Sequence, residues 1–288
     1  MLSRTLIKGS LVVSGVAMIT TIALAWHVGS KLVAPANHPA PLPQNLPAEQ
    51  VSIPGSDHRI AGWWIEGGAD SPVVLLLHGI RADRSSMATR ASLLAKQGFS
   101  VLLIDLQAHG ETPGEAITFG LRESADVVVA RDWIRRKAPG RRIGVIGQSL
   151  GGAAILLGAQ PSGFDAVVLE AVYPRITRAL ENRVRMRLGP LATTLSSLLL
   201  MQLPLRLHIA PSDLEPIRSI SRLGAPVLVV AGSKDAHTTL SESQELFDAA
   251  SQPKSLWIVE GARHQDFLAY DPQGYSAHVV AFLVSNTQ

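Results

Sequence analysis

The chain contains no cysteine, which excludes a disulfide framework, a thiol nucleophile and a thiolate-bound metal. Residues 1–48 contain no aspartate or glutamate, so Arg4, Lys8 and Lys31 stand unbalanced there. Without those three, the 26 basic residues fall to 23 and equal the 23 acidic ones, so the formal charge of +3 belongs to the N-terminus. A neutral remainder gives no electrostatic case for nucleic acid. There is no HExxH pattern and no clustered histidine and carboxylate spacing, so neither a metal nor another cofactor is expected. No internal repeat is found. Two local basic clusters remain, Arg131 to Arg142 and Arg175 to Arg187. The first reads as a solvated helix face. The second also reads as surface, with contact to anionic lipid or a substrate carboxylate as the alternative.

Charge is also missing between residues 9 and 30, bracketed by Lys8 and Lys31. That stretch meets the roughly 20 apolar residues needed to cross a hydrocarbon core of about 30 Å. Two readings stand for residues 1–31: an uncleaved signal anchor, or a signal peptide cut after Ala23-Leu24-Ala25, which has a small-x-small pattern. The anchor is preferred because the apolar run continues through Trp26 to Val28. Basic residues before the span place the N-terminus in the cytoplasm and the rest outside, as a single-pass membrane protein; the alternative is a secreted one. Five prolines lie between Ala34 and Pro47, and residues 32–48 read as a semi-extended proline-rich linker. A domain over 49–288 follows.

In that domain, short apolar runs alternate with helical spacing. Strands are expected at Arg59–Ile65, Val73–Leu77, Val101–Ile104, Arg142–Ile146, Ala166–Leu169, Pro226–Val230 and Leu256–Val259. Helices are expected near Ser85–Lys96, Arg122–Lys137, Leu240–Ala249 and Gly274–Phe282. This is an α/β pattern, a doubly wound and mostly parallel sheet whose sites gather beyond the carboxyl ends of the strands. The alternation breaks off over about 173–223, which reads as a helical cap. Leu191, Leu195, Leu198, Leu199 and Gln202 recur there at helical spacing. They either face an acyl group or pack on the domain, and part of this surface can rest on a membrane.

The organising stretch is Gly147-Gln148-Ser149-Leu150-Gly151-Gly152, between an apolar strand and a small-residue helix. A serine on a strained strand-to-helix turn needs neighbours without side chains so that strand and helix can cross closely. The Leu150 amide falls in the first helical turn, where it has no intrahelical acceptor and suits an oxyanion. After Leu77 comes His78-Gly79-Ile80, where Gly79 lets the backbone turn and the Ile80 amide is the second oxyanion donor. His78 and His109 are read as loop-ordering residues. Asp235 follows one later strand and His264 follows the next, giving the order serine, acid, histidine, each after a separate strand. Glu170 and Asp266 are rival acids. His237 and His278 have no comparable strand-exit position.

With HG at 78–79, GQSLGG at 147–152, GSKD at 232–235 and GARH at 261–264 in this order, residues 51–286 resemble the α/β-hydrolase superfamily. The finer likeness is to single-span hydrolases related to acyl-thioesterases and prolyl-oligopeptidase-like domains. Gln107-Ala108-His109-Gly110 departs from the arginine-containing loop of many relatives, so no arginine contact is carried over. The resemblance implies a serine hydrolase with catalytic Ser149, Asp235 and His264. Ser149 attacks an ester, thioester or amide of a small or lipid-like acyl substrate; Ile80 and Leu150 form the oxyanion hole. A peptidase of the same fold is one alternative. A catalytically inactive, membrane-tethered binding scaffold is another.

Overall fold

The computed structural model describes residues 4–288, with side chains from residue 15 onward except residue 17. The proposed charge bracket of Arg4 and Lys8 therefore lies outside the described side chains. The backbone of the uncharged stretch is one helix, α1 (Arg4–Val33).

Eight strands form one sheet: β1 (Glu49–Pro54), β2 (Arg59–Ile65), β3 (Val73–Leu77), β4 (Ser100–Ile104), β5 (Ile143–Gln148), β6 (Ala166–Glu170), β7 (Val227–Gly232) and β8 (Lys254–Val259). Their spatial order is β8-β7-β6-β5-β3-β4-β2-β1. The pairs from β4 to β8 are parallel, while β1 and β2 are antiparallel to their neighbours. β1 was not expected from the sequence, because its EQVSIP pattern is half exposed and ends in proline, as an edge strand permits. β3 to β6 read as unbroken apolar runs because helices cover both faces; every residue of β3 is fully buried.

The covering helices include α2 (Ala88–Lys96), α3 (Glu123–Lys137), α4 (Leu150–Leu157) and α8 (Leu240–Ala249). The first begins later than expected, since residues 84–87 form a tighter 3-10 turn capped by Asp83. The last expected helix runs instead from Pro272 to Thr287, with a π-helical stretch at Ser276–Val280.

Between β6 and β7 lie three cap helices, α5 (Ile176–Leu188), α6 (Ala192–Leu200) and α7 (Gln202–Leu207). The stretch Ile176–Leu207 has the length of a membrane span, and its most apolar 18-residue window, with the hydropathy of one, is only 22% buried. Gly189, at φ +55°, and Pro190 break it after α5, which turns it into a folded-over cap. The leucine stripe divides accordingly: Leu191 points outward, whereas Leu199 and Gln202 face a cavity.

The proline-rich stretch is docked on the domain and does not behave as a free spacer. Ala36–Asn37 pairs in parallel with His109–Gly110, and Asn37 Nδ2 donates to the carbonyls of Gly110 and Thr112 at 3.1 and 2.7 Å. Ala40 and Leu46 are buried. Proline-rich chain has little conformational entropy to lose, so a few such contacts suffice to hold it.

Candidate active site

The parallel register brings the chemistry to one edge. Gln148 lies opposite Glu170, Glu170 opposite Val230, and Gly232 opposite Val259, so the loops after β5, β7 and β8 leave from the same side. Ser149 sits between β5 and α4 at φ +49° and ψ −108°, a conformation costing about 1–3 kcal/mol for a residue with a side chain. The surrounding glycines make that turn possible. A Cβ on Gly147 would stand 2.5 Å from the Gly152 nitrogen, and one on Gly151 2.6 Å from the Leu77 carbonyl oxygen. At Gly79, by contrast, a Cβ would meet nothing nearer than 3.8 Å. That glycine is not sterically required, but it leaves open space facing Ser149 Cβ.

Asp235 and His264 are brought together. His264 Nδ1 lies 2.8 Å from Asp235 Oδ2. The other carboxylate oxygen accepts from the backbone N–H groups of His237 and Thr238 at 2.7 and 3.0 Å. With its side chain buried, Asp235 is locked in one orientation. A Cβ on Gly232 would stand 2.5 Å from the Ala262 carbonyl oxygen, so the loop carrying His264 crosses directly over the end of β7. His237 stacks on His264 with ring centroids 4.8 Å apart, and burial together with the neighbouring imidazole lowers its pKa. The Ser149 hydroxyl makes no hydrogen bond to His264 or to any other described residue.

The rival acids have other partners. Buried Glu170 accepts from Arg90 Nη2 at 2.7 Å and from the Tyr275 hydroxyl at 2.5 Å. Arg90 also meets Asp266 at 3.0 Å, and Asp266 caps the turn at Phe267–Tyr270. These carboxylates hold α2 and the C-terminal helical segment onto the sheet. His278 stacks on Trp257.

His78 and His109 form the floor of the loops. His78 is fully buried; its Nδ1 donates to the Gly79 carbonyl at 2.8 Å, and its Nε2 accepts from the Leu106 amide at 3.1 Å. That pairing fixes a neutral tautomer, and burial pulls its pKa down to about 4. His109 packs tilted against it at 5.1 Å and is likewise pulled down to about 4, chiefly by burial. The Gln107–Gly110 turn after β4 has no arginine, yet one reaches its flanks from elsewhere: buried Arg84 pairs with Asp105 and Glu111 and donates to the Ala40 carbonyl at 3.0 Å. Sequence spacing had no signal for that contact.

Ser149, Ile80 and Leu150 line one cavity of about 190 Å³. Asp235 and His264 are not among its walls. Neither the Ile80 nor the Leu150 amide donates a backbone hydrogen bond among the described residues. Phe119, at φ +58°, contributes another wall; the Tyr173 hydroxyl holds its carbonyl at 2.6 Å. Arg183 also lines the cavity and makes its one side-chain hydrogen bond to the Ala179 carbonyl of its own helix. Burial lowers its pKa while the nearby Asp235 carboxylate opposes that shift. The remaining walls come from the cap and, unexpectedly, from the end of α1.

Comparison with known proteins agrees with the fold. An uncharacterised Mycobacterium tuberculosis protein is 30% identical over 265 residues, covering 89% of this chain and 86% of its own. A Saccharomyces cerevisiae protein described as an uncharacterised membrane protein is 26% identical over 181 residues, 58% of this chain and 63% of that one. Among solved structures, the Pyrococcus furiosus esterase Pf2001 superposes with a TM-score of 0.71 at 22% identity, covering 89% of this chain and 100% of that one, a likeness of fold. The profile of the alpha/beta hydrolase family matches residues 74–278, and the chain belongs to that family.

Proposed function

We propose that the chain is a serine hydrolase that cleaves a carboxylic ester or thioester through an acyl-enzyme. Ser149 is the nucleophile, His264 the base and Asp235 the acid that orients it. The observation that carries this reading is the 2.8 Å contact between His264 Nδ1 and an Asp235 carboxylate whose second oxygen is already held by two amides. Such a pair fixes the imidazole tautomer with Nε2 free to take a proton and stabilises the imidazolium that results. The strained serine presents its hydroxyl to an apolar cavity, and catalytic hydrogen bonds that are open in a free enzyme tighten once substrate is bound.

His264 removes the proton of Ser149 as the oxygen attacks the carbonyl carbon. The Ile80 and Leu150 amides, left without partners in the protein, stabilise the oxyanion; one such donor is worth about 2.7–4 kcal/mol. His264 then protonates the leaving alkoxide or thiolate, and afterwards activates the water that releases the acid. Residues 1–31 act as a signal anchor that tethers the enzyme to a membrane, with the catalytic domain extracytoplasmic. The uncharged helix within Arg4–Val33 and the yeast relative's description as a membrane protein support the membrane association.

The test is covalent labelling of the detergent-solubilised full chain by a fluorophosphonate, with the adduct located by peptide mass spectrometry. The expected adduct is on Ser149, absent in Ser149→Ala and strongly reduced in His264→Ala. A folded protein that takes no label and leaves simple esters intact would overturn the assignment.

A further inference from the structure

The cavity above Ser149 is completed by the element that reads as an anchor. Its base is Ser149 and Leu150, one side is formed by Leu199 and Leu203 of the cap, and the facing side by Gly29, Leu32 and Val33, in the last turns of α1. Those turns are held on both sides. Gln202 Nε2 donates to the Ala25 carbonyl at 3.0 Å, and Arg206 Nη2 to the Trp26 carbonyl at 2.5 Å. The Arg206 guanidinium also covers the Trp26 ring at 3.7 Å. On the other side Arg81, the residue after Ile80, donates to the otherwise unpaired carbonyls of Lys31, Leu32 and Ala34 at the helix end. The Ile117 amide donates to the Val33 carbonyl at 2.9 Å. The helix end is therefore fixed between the cap and the loop that carries the Ile80 amide.

We infer that Gly29, Leu32 and Val33 of α1 form the acyl-chain wall of the site, so that the N-terminal helix selects an aliphatic acyl chain longer than acetyl. The inference rests on the proposed acyl transfer at Ser149. The cavity's facing walls at Gly29, Leu32, Val33, Leu199 and Leu203 are aliphatic or bare backbone and suit an alkyl chain, while the polar groups of its lining near α1, Gln202, Arg206 and Arg81, are engaged with carbonyls at the end of that helix. The outward face of the same helix exposes Met18, Ile19, Ile22 and Leu24, and the cap beside it exposes Met201 and Leu205. An amphiphilic ester gathered on that apolar surface lies next to the mouth of the site.

The experiment uses the full chain in detergent, with kcat/KM measured for p-nitrophenyl acetate and p-nitrophenyl octanoate and Ser149 labelling followed in parallel. Leu32→Trp fills the wall and is expected to lower the octanoate-to-acetate ratio by about tenfold, the discrimination typical of a methylene-scale change in an apolar pocket. Leu32→Ala, which enlarges the space with little risk to folding, is expected to move the preference toward longer chains. An unchanged ratio in Leu32→Ala, or in a labelled Leu32→Trp, overturns the inference while leaving the serine hydrolase intact. Wild-type protein that takes no label and cleaves neither ester overturns both.

Discussion

The cavity has a floor and a roof built on different principles. Around Ser149 the floor is fixed by backbone against backbone: Gly147 against Gly152, Gly151 against the Leu77 carbonyl, Gly232 against the Ala262 carbonyl. The roof is fixed by long side chains reaching across, Gln202 and Arg206 from the cap and Arg81 from the loop after β3, each grasping carbonyls of α1. A backbone contact has no rotamer to give, whereas a guanidinium or amide can move and rebond. The floor can therefore hold an oxyanion to a fraction of an ångström, while the roof can yield to chains of different length.

The largest expected effect comes from exchanging two buried carboxylates that lie outside the cavity walls. Asp235→Asn keeps size and packing but removes the charge that orients His264; ester hydrolysis is expected to fall about 10⁴-fold with little change in melting temperature. Glu170→Gln removes the charge opposite Arg90 inside the core, leaving a buried guanidinium short of its partner, and is expected to cost about 3–5 kcal/mol of stability. Its folded fraction should still label at Ser149. Melting curves and esterase assays on both variants decide the matter: if Glu170→Gln abolished labelling in folded protein, Glu170 would be the acid and the assignment would be reversed.

Glycine to alanine, made once in each region, tests the contrast directly. In Gly147→Ala the new Cβ meets the Gly152 backbone at 2.5 Å, and strand and helix must separate. The expected cost is about 3 kcal/mol, or roughly 10 °C in Tm for a domain of this size, with loss of labelling. In Gly29→Ala the Cβ meets only the tip of Gln202, at 2.1 Å from Oε1. Displacing that amide costs about 1 kcal/mol of hydrogen bonding, and alanine in a helix interior recovers a similar amount over glycine. The expected change in Tm is within about 2 °C. Equal losses in the two variants would mean the roof is as rigid as the floor.

This contrast also explains what could be read from the sequence. The floor was legible because backbone crossings demand glycine at fixed spacing, and because parallel strands with covered faces must read as unbroken apolar runs; Ser149, Asp235 and His264 each follow one of them. The roof was not legible. Nothing in the order of Gln202, Arg206 and Arg81 says that they converge on Ala25, Trp26 and Lys31, residues from 50 to 180 positions away in the chain. The proline-rich stretch misled for a related reason: composition shows that it forms no helix or buried strand, but its pairing with His109–Gly110 depends on that loop's backbone being available. Gly79 was expected to let the backbone turn, yet it is not among the glycines at positive φ, because a glycine after a strand looks the same whether it serves a turn or leaves space for a substrate.

A last contrast separates floor from roof by pH. Burial lowers the pKa values of His78 and His109 to about 4, against 6.5 when unfolded. Between those values the unfolded chain binds protons that the folded one excludes, so stability rises with pH across the window and is lost as pH falls from about 6.5 toward 4. For fully buried His78 the loss reaches up to about 3 kcal/mol. Asp126, pushed up to about 6 by burial, acts in the opposite sense and offsets part of it. Denaturant unfolding at pH 7, 5.5 and 4.5 should therefore show falling stability in the wild type and a shallower fall in His78→Gln. The difference between the two slopes isolates the histidine from Asp126. The clasp on α1 is built from Arg81, Gln202 and Arg206 bonded to backbone carbonyls and contains no histidine or carboxylate. If Arg206→Ala flattened the acid slope as much as His78→Gln does, the proton-sensitive element would lie in the roof, and the division between a fixed, neutral floor and a charged, adjustable roof would fail.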